Sequence, residues 1–160
     1  MTLVSTARST TQKSVASPCV FKGLGIHTGQ DCTVTVQPAP VDHGLVFQSQ
    51  GVRIPALADC VVRCDRSTML GIGDQTISTV EHLLAALVGA GIANALIEVV
   101  GPEIPILDGS AQPFFDGLVA GGVVDQQTER ERMILRRPIW VGEGNSGVLA
   151  LPSNETIYQY

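Results

Sequence analysis

From Leu83 to Ile97 the chain carries no charged side chain, and this run limits the possible folds more than any other stretch. It falls short of the ~20 apolar residues that a bilayer-spanning helix needs, and Gly89, Gly91 and Asn94 interrupt it. It therefore reads as two core elements of a soluble protein. Val80, Leu83, Leu84, Leu87 and Val88 recur at the offsets of one buried helical stripe. Ser78, Thr79, Val80 and Glu81 fit a capping box, in which the serine caps the helix and the glutamate reaches back to it. Gly89 or Gly91 ends the helix. "ANALIEVV" then reads as a central strand.

The flanking segments supply short strands and turns. Ser14 to Val20 is expected to form one strand, and "FKGLGIHTGQ" a tight glycine-marked connection. "DCTVTVQPA" alternates as a strand should, with Cys32, Val34 and Val36 on one face. "GLVFQ" and "VRIPALADCVVRC" add further strands, with Pro55 marking an edge or break. "STMLGIGDQTI" reads as two strands about a Gly-Asp turn. After a Pro/Gly-punctuated loop, a second helix is expected with Ser110 as N-cap and Leu118 and Val119 packing inward. Residues 124–133, "VDQQTERERM", read as a linker. Ile134 to Val141 and Val148 to Leu151 then form a hairpin, and a last strand starts near Thr156. A lone hairpin builds no core. The chain is thus expected to hold a first domain over 1–123, the linker, and the opening strands of a truncated second domain over 134–160.

Charge and cysteine usage exclude several classes. The formal net charge of −5 argues against a general nucleic-acid binder. The one basic cluster, Arg130, Arg132, Arg136 and Arg137, is interleaved with Glu129 and Glu131 and reads as a solvated segment. "MTLVSTARSTTQKS" has no apolar core and is not a secretory signal, so a cytoplasmic protein is expected, with no stable membrane insertion. Cys19, Cys32, Cys60 and Cys64 form no CxxC pair, which points to buried or half-buried thiols rather than disulfides or a zinc knuckle.

The chemistry-bearing feature is the adjacent pair Glu81 and His82. Glu81 has an ordinary role as the capping-box acid, and His82 as a half-packed histidine. His82 shares its helix face with Ala85, Ala86 and Gly89, small residues that would let another body approach closely. There is no HExxH spacing, so further ligands for a metal at His82 would have to come from elsewhere. Even so, an imidazole ligand beside a carboxylate suits metal-assisted amide hydrolysis: the metal lowers the pKa of its water and the carboxylate takes the proton.

"GLGIHTGQ", "RSTML" and "ISTVEHLLAALVGAGIANALIEVVGPEIPILDGSAQPF", in order between about Lys13 and Val141, resemble the zinc-dependent UDP-3-O-acyl-N-acetylglucosamine deacetylases of lipid A biosynthesis. The resemblance implies an α+β fold of two similar domains, each a small sheet layered with two helices, with the active site between them. It implies that Glu81 is the general base, His82 a Zn2+ ligand, and Met69, Leu70 and His27 substrate-binding residues. Asp108 of "ILDGSA" is read as a turn-holding residue. The implied substrate is a UDP-linked acylated glucosamine, in the cytoplasm of Gram-negative bacteria, and the complete enzyme is expected to be monomeric. The family's other zinc ligands, a histidine and an aspartate four residues apart, lie in its second domain and have no counterpart in this sequence. Three protein ligands are usual for catalytic zinc, so the 160-residue chain is expected to be inactive alone. The alternatives are a non-catalytic binding module or a degenerate remnant.

Overall fold

The computed structural model describes residues 4–5, 11–131, 135–153 and 157–158. It divides into two compact units, Thr11–Thr128 and the described parts of Met1–Thr10 with Glu129–Tyr160. After β1 (Val4–Ser5), the larger unit runs through β2 (Thr11–Val15), β3 (Cys19–Leu24), β4 (Asp31–Pro38), β5 (Leu45–Ser49) and β6 (Val52–Pro55). A 3-10 turn (Ala58–Cys60) leads into β7 (Val61–Arg63), β8 (Met69–Ile72) and β9 (Gln75–Ile77). Then come α1 (Glu81–Gly89), β10 (Ala95–Val100), α2 (Gln112–Ala120) and β11 (Val123–Glu129).

The principal sheet has the order β3-β4-β10-β5-β6. The uncharged run supplies its middle strand: β10 pairs antiparallel with β4 and parallel with β5. On β4 the residues Cys32, Val34 and Val36 are buried, as the alternation requires, and on β10 so are Ala95, Ile97 and Val99. On the opposite face, which mixes polar side chains with exposed Val20, Leu24 and Val100, the Gln37 amide donates to the Glu98 carboxylate at 2.8 Å. The buried side chains form one core with Leu83 and Leu87 of α1 and Phe114 and Leu118 of α2. This is an α+β arrangement of small sheets and two helices. Phe21 of β3 meets Phe114 edge-on at 5.0 Å between centroids, a contact worth ~0.5–1.5 kcal/mol beyond its area. Smaller sheets, β7-β8-β9 and β2-β11, complete the unit.

Several local expectations are corrected. Ser14 to Val20 is not one strand: the chain bends between β2 and β3, where the Ala16 amide donates to the Gly122 carbonyl. Residues 124–129, read as linker, lie in β11. On α1 the buried residues are Leu83, Ala86 and Leu87, while Val88 is exposed. The buried stripe is thus rotated toward Ala86, because α2 packs there: Phe115 lies 3.5 Å from where a Cβ at Gly89 would stand. Of the small residues after His82, Gly89 seats Phe115 of the second helix, Ala86 is in the core and Ala85 is exposed. Val119 is likewise exposed, and Leu118 alone of that pair is buried. Ser110 is not the N-cap of α2: Ala111 holds that position with no side-chain cap, and the Ser110 hydroxyl, one residue earlier, accepts from the Gln112 amide at 3.1 Å in the preceding turn.

Asn94 interrupts the apolar run for a reason. It is almost fully buried, accepts from the Gly44 amide, and donates to the side-chain oxygens of Gln12 and Gln126, so β2, β11 and the turn that leads into β5 meet on one amide. Cys19 and Cys32 are buried, which pushes their thiols up; Cys60 is half-buried and Cys64 exposed, all four unpaired.

In the other unit, β12 (Ile139–Glu143) and β13 (Ser146–Ala150) form an antiparallel hairpin, and β1 pairs antiparallel with β14 (Ile157–Tyr158). Gly144, at φ 57°, takes the first central position of the two-residue turn, as a type II′ turn requires. The expected strand starts at Ile134 and Thr156 lie outside the described residues.

Candidate functional site

The site begins at an unfavourable backbone conformation. Thr79 has φ 61°, a left-handed value that costs a β-branched residue ~1–3 kcal/mol, and it is buried. Its neighbours hold it there. Ser78 bridges to Glu103 in parallel, the Ile104 amide donates to the Ser78 carbonyl at 3.1 Å, and the Thr79 hydroxyl donates to Glu103 Oε2 at 2.9 Å. A hydrogen bond to a carboxylate contributes ~1.5–3 kcal/mol, enough to offset the strain.

This turn replaces the capping box. Helix α1 starts from Val80, with no side-chain cap. The Ser78 backbone is committed to the Glu103 strand, so Glu81 does not reach back to it. Instead the Thr68 amide donates to Glu81 Oε2 at 2.9 Å, and the Val80 amide donates to the Thr68 carbonyl at 3.4 Å. The "RSTML" and "TVEH" stretches are thereby joined at their backbones. Glu81 Oε1 keeps no partner among the described residues. His82, half-buried, likewise has no hydrogen bond to its ring there. Among the described residues no buried side-chain polar atom lacks a partner, so the unpaired His82 nitrogens are accessible to solvent.

Glu103 is the residue that sequence reasoning missed. It is fully buried, yet it accepts four hydrogen bonds. Its Oε1 takes the His27 amide at 3.1 Å, the Thr28 amide at 2.8 Å and the Thr28 hydroxyl at 2.8 Å, while Oε2 takes the Thr79 hydroxyl. Burial pushes this carboxyl up, but those donors outweigh it and hold the group below its ordinary 4.5. A signal was available. Glu103 is an acid inside the apolar stretch "VVGPEIPIL", and a charge buried among such residues must be paired.

The His27 loop joins β3 to β4. The Gly25 amide donates to the Gln30 carbonyl and the Gly29 amide to the Gly25 carbonyl, with Gly29 at φ 64°. Gly25 is needed for space: a methyl there would overlap the Glu103 carboxyl. The His27 side chain is exposed. Met69 is half-buried, whereas Leu70, next along β8, is in the core at 2% exposure. Asp108 Oδ1 accepts from the Ser110 amide and hydroxyl, a turn that precedes α2.

Two pairs of segments are therefore brought together: Thr68 with Glu81, and the His27 loop with the Thr79 turn. Direct hydrogen bonds among the side chains of His27, Met69, Glu81 and His82 are absent among the described residues. His82 has the donor chemistry zinc prefers, with a carboxylate beside it. The ligand count does not match a complete centre, because no three His, Cys, Asp or Glu side chains gather among the described residues.

Comparison with known proteins places the chain among deacetylases. A relative from Thermosynechococcus vestitus (strain NIES-2133 / IAM M-273 / BP-1), named UDP-3-O-acyl-N-acetylglucosamine deacetylase, is 41% identical over 157 residues, covering 95% of this chain and 55% of that protein. A relative of the same name from Geobacter sp. (strain M21) is 40% identical over 146 residues, covering 89% and 48%. A third, from Chlorobaculum tepidum, is named bifunctional enzyme LpxC/FabZ and is 40% identical over 147 residues, 88% of this chain and 32% of that protein. The model of the family described as LpxC, UDP-3-O-acyl N-acetylglycosamine deacetylase, matches residues 12–160. The chain belongs to this family. It spans about half the length of the first two relatives.

Proposed function

We propose that this chain contributes the general base, Glu81, and one zinc ligand, His82, to a cytoplasmic deacetylase that removes acetyl from a UDP-3-O-acyl-N-acetylglucosamine in lipid A biosynthesis. The observation that carries the proposal is the state of the adjacent pair. Glu81 is pinned through Oε2 by the Thr68 amide while Oε1 stays free, and the unpaired His82 ring nitrogens are accessible to solvent. A base must be fixed and still have a lone pair to use. A metal ligand must have an unprotonated nitrogen in reach of the ion. Zinc, when bound, supplies Lewis acidity toward the amide carbonyl and a water of lowered pKa.

The chain's own residues then act as follows. Glu81 Oε1 takes a proton from the attacking water. The Thr68 N–H keeps the carboxylate from turning away. His27 and Met69, beside these backbones, contact the substrate, and Leu70 acts from the core behind Met69. The remaining ligands and the acid that protonates the departing amine come from outside the described residues. The 160-residue chain by itself therefore turns over no substrate at an appreciable rate.

The test is acetate release by the full-length gene product carrying this sequence, together with zinc content. Glu81→Gln lowers kcat by about 10²–10⁴-fold with zinc retained, whereas His82→Ala loses zinc. A Glu81→Gln variant with wild-type kcat, or a His82→Ala variant with full zinc occupancy, overturns the assignment. Near-complete activity of the 160-residue chain overturns its dependence on further ligands.

A further inference from the structure

We propose that Glu103 is a positioning residue for this site: its one buried carboxylate locks the His27 loop to the turn at Thr79, and so sets where Glu81 and His82 stand relative to His27. The inference rests on the reading of Glu81 as base given above. Three donors from residues 27 and 28 converge on Oε1, and the Thr79 hydroxyl holds Oε2. The two segments are thus separated by no more than the width of one carboxylate. With Glu103 fully buried, water does not compete for these bonds.

The lever arm is short. Thr79 lies two residues before Glu81, and its left-handed φ decides how α1 leaves the strand that carries Ser78. Beyond the Ser78 backbone pairing, the Glu103 bond is the interaction that offsets that φ at a threonine. Relaxation of the turn would move the free Glu81 oxygen while Thr68 still holds the other. Small displacements of a reacting group cost rate steeply, about 10²-fold for 1 Å. On the other side, the loop loses its only side-chain acceptor for the His27 and Thr28 amides among the described residues.

Two variants isolate the effect with little loss of volume. Thr79→Val deletes the hydroxyl alone, and Thr79→Ser restores it. Glu103→Gln keeps the shape and removes the charge. In the 160-residue chain, hydrogen exchange at the His27 and Thr28 amides rises at least about tenfold in Glu103→Gln, with the Ile97 amide of the central strand unchanged. In the full-length gene product, Thr79→Val lowers kcat per folded molecule about 10–100-fold, and Thr79→Ser recovers it. A residue that served stability alone would change the folded fraction and leave kcat per folded molecule intact. If Glu81→Gln is inactive but Thr79→Val and Glu103→Gln keep wild-type kcat, this inference fails by itself. If Glu81→Gln keeps its rate, the base assignment fails and the inference with it. Wild-type exchange at His27 and Thr28 in Glu103→Gln removes the loop half of the proposal.

Discussion

The packing of Gly25 against Glu103 gives a prediction that can be worked from distances. An ideal Cβ at Gly25 would stand 2.5 Å from Glu103 Cδ and 2.6 Å from Cγ, well inside contact. The carboxylate cannot swing aside freely, because four donors hold it. Gly25→Ala must then either push the β3–β4 connection outward or displace the carboxylate. Overpacking of a filled site costs ~1–3 kcal/mol. Displacement forfeits at least one hydrogen bond to a carboxylate, ~1.5–3 kcal/mol. Either way we expect a loss of about 1–3 kcal/mol. Gly29→Ala is the control in the same loop. Its Cβ would meet open space, so only the left-handed φ of 64° is charged against it, ~1–2 kcal/mol. The assay is urea unfolding followed by helical ellipticity. Both helices lie in the Thr11–Thr128 unit, whereas the one tryptophan, Trp140, belongs to the other. With a urea slope of ~2 kcal/mol per molar, the Gly25→Ala midpoint falls by ~0.5–1.5 M. Combining it with Glu103→Ala removes the overlap, so the added cost of Gly25→Ala should fall below ~1 kcal/mol while that of Gly29→Ala is unchanged. Equal costs for Gly25→Ala in the two backgrounds would refute the argument.

Two further outcomes follow from burial and charge. The Glu103 carboxyl titrates below its ordinary value in the folded chain, so its contribution to stability is fully present above about pH 4.5 and is lost as pH falls through the lower folded-state value. Acid unfolding of Glu103→Gln should therefore show a smaller dependence on pH below about 4.5, with a residual slope from Asp108 and Asp125, which are shifted the same way. On α1, Leu87→Ala should cost ~2–5 kcal/mol in the same denaturation assay, and Val88→Ala, at an exposed position, should stay within ~0.5 kcal/mol. A larger cost at Val88 would restore the stripe expected from spacing alone.

What the sequence discloses here follows the range of the interaction. Period-two alternation in "DCTVTVQPA" and the uncharged run at 83–97 report burial directly, so β4 is legible residue by residue and α1 and the central strand β10 as elements. The adjacent acid and histidine are legible for the same reason, since one helix start presents both. The start of that helix was not. Ser-x-x-Glu is a local pattern, and a capping box is its lowest-energy local outcome. Tertiary structure overrides it, because the Ser78 backbone pairs with Glu103 and the Thr68 amide takes the Glu81 carboxylate. The inward faces of α1 and α2 were misjudged at Val88 and Val119 because spacing fixes the angle between residues but not the direction of the partner. Here the partner of α1 includes α2.

The same contacts suggest what each quoted stretch supplies. Both carboxylates of the site take backbone donors, Glu81 from Thr68 and Glu103 from His27 and Thr28, and Glu103 adds two threonine hydroxyls. "RSTML" thus serves the base through a main-chain N–H that any residue except proline could provide at position 68. The Thr28 and Thr79 hydroxyls are different, because only a side chain can place those donors on Glu103. Within the site, identity should therefore matter most at Gly25, Thr28, Thr79 and Glu103, and least at Thr68. Substituting Thr68 by alanine leaves the N–H, and with it the anchoring of Glu81, in place. Proline at the same position removes the anchor without touching a single catalytic side chain.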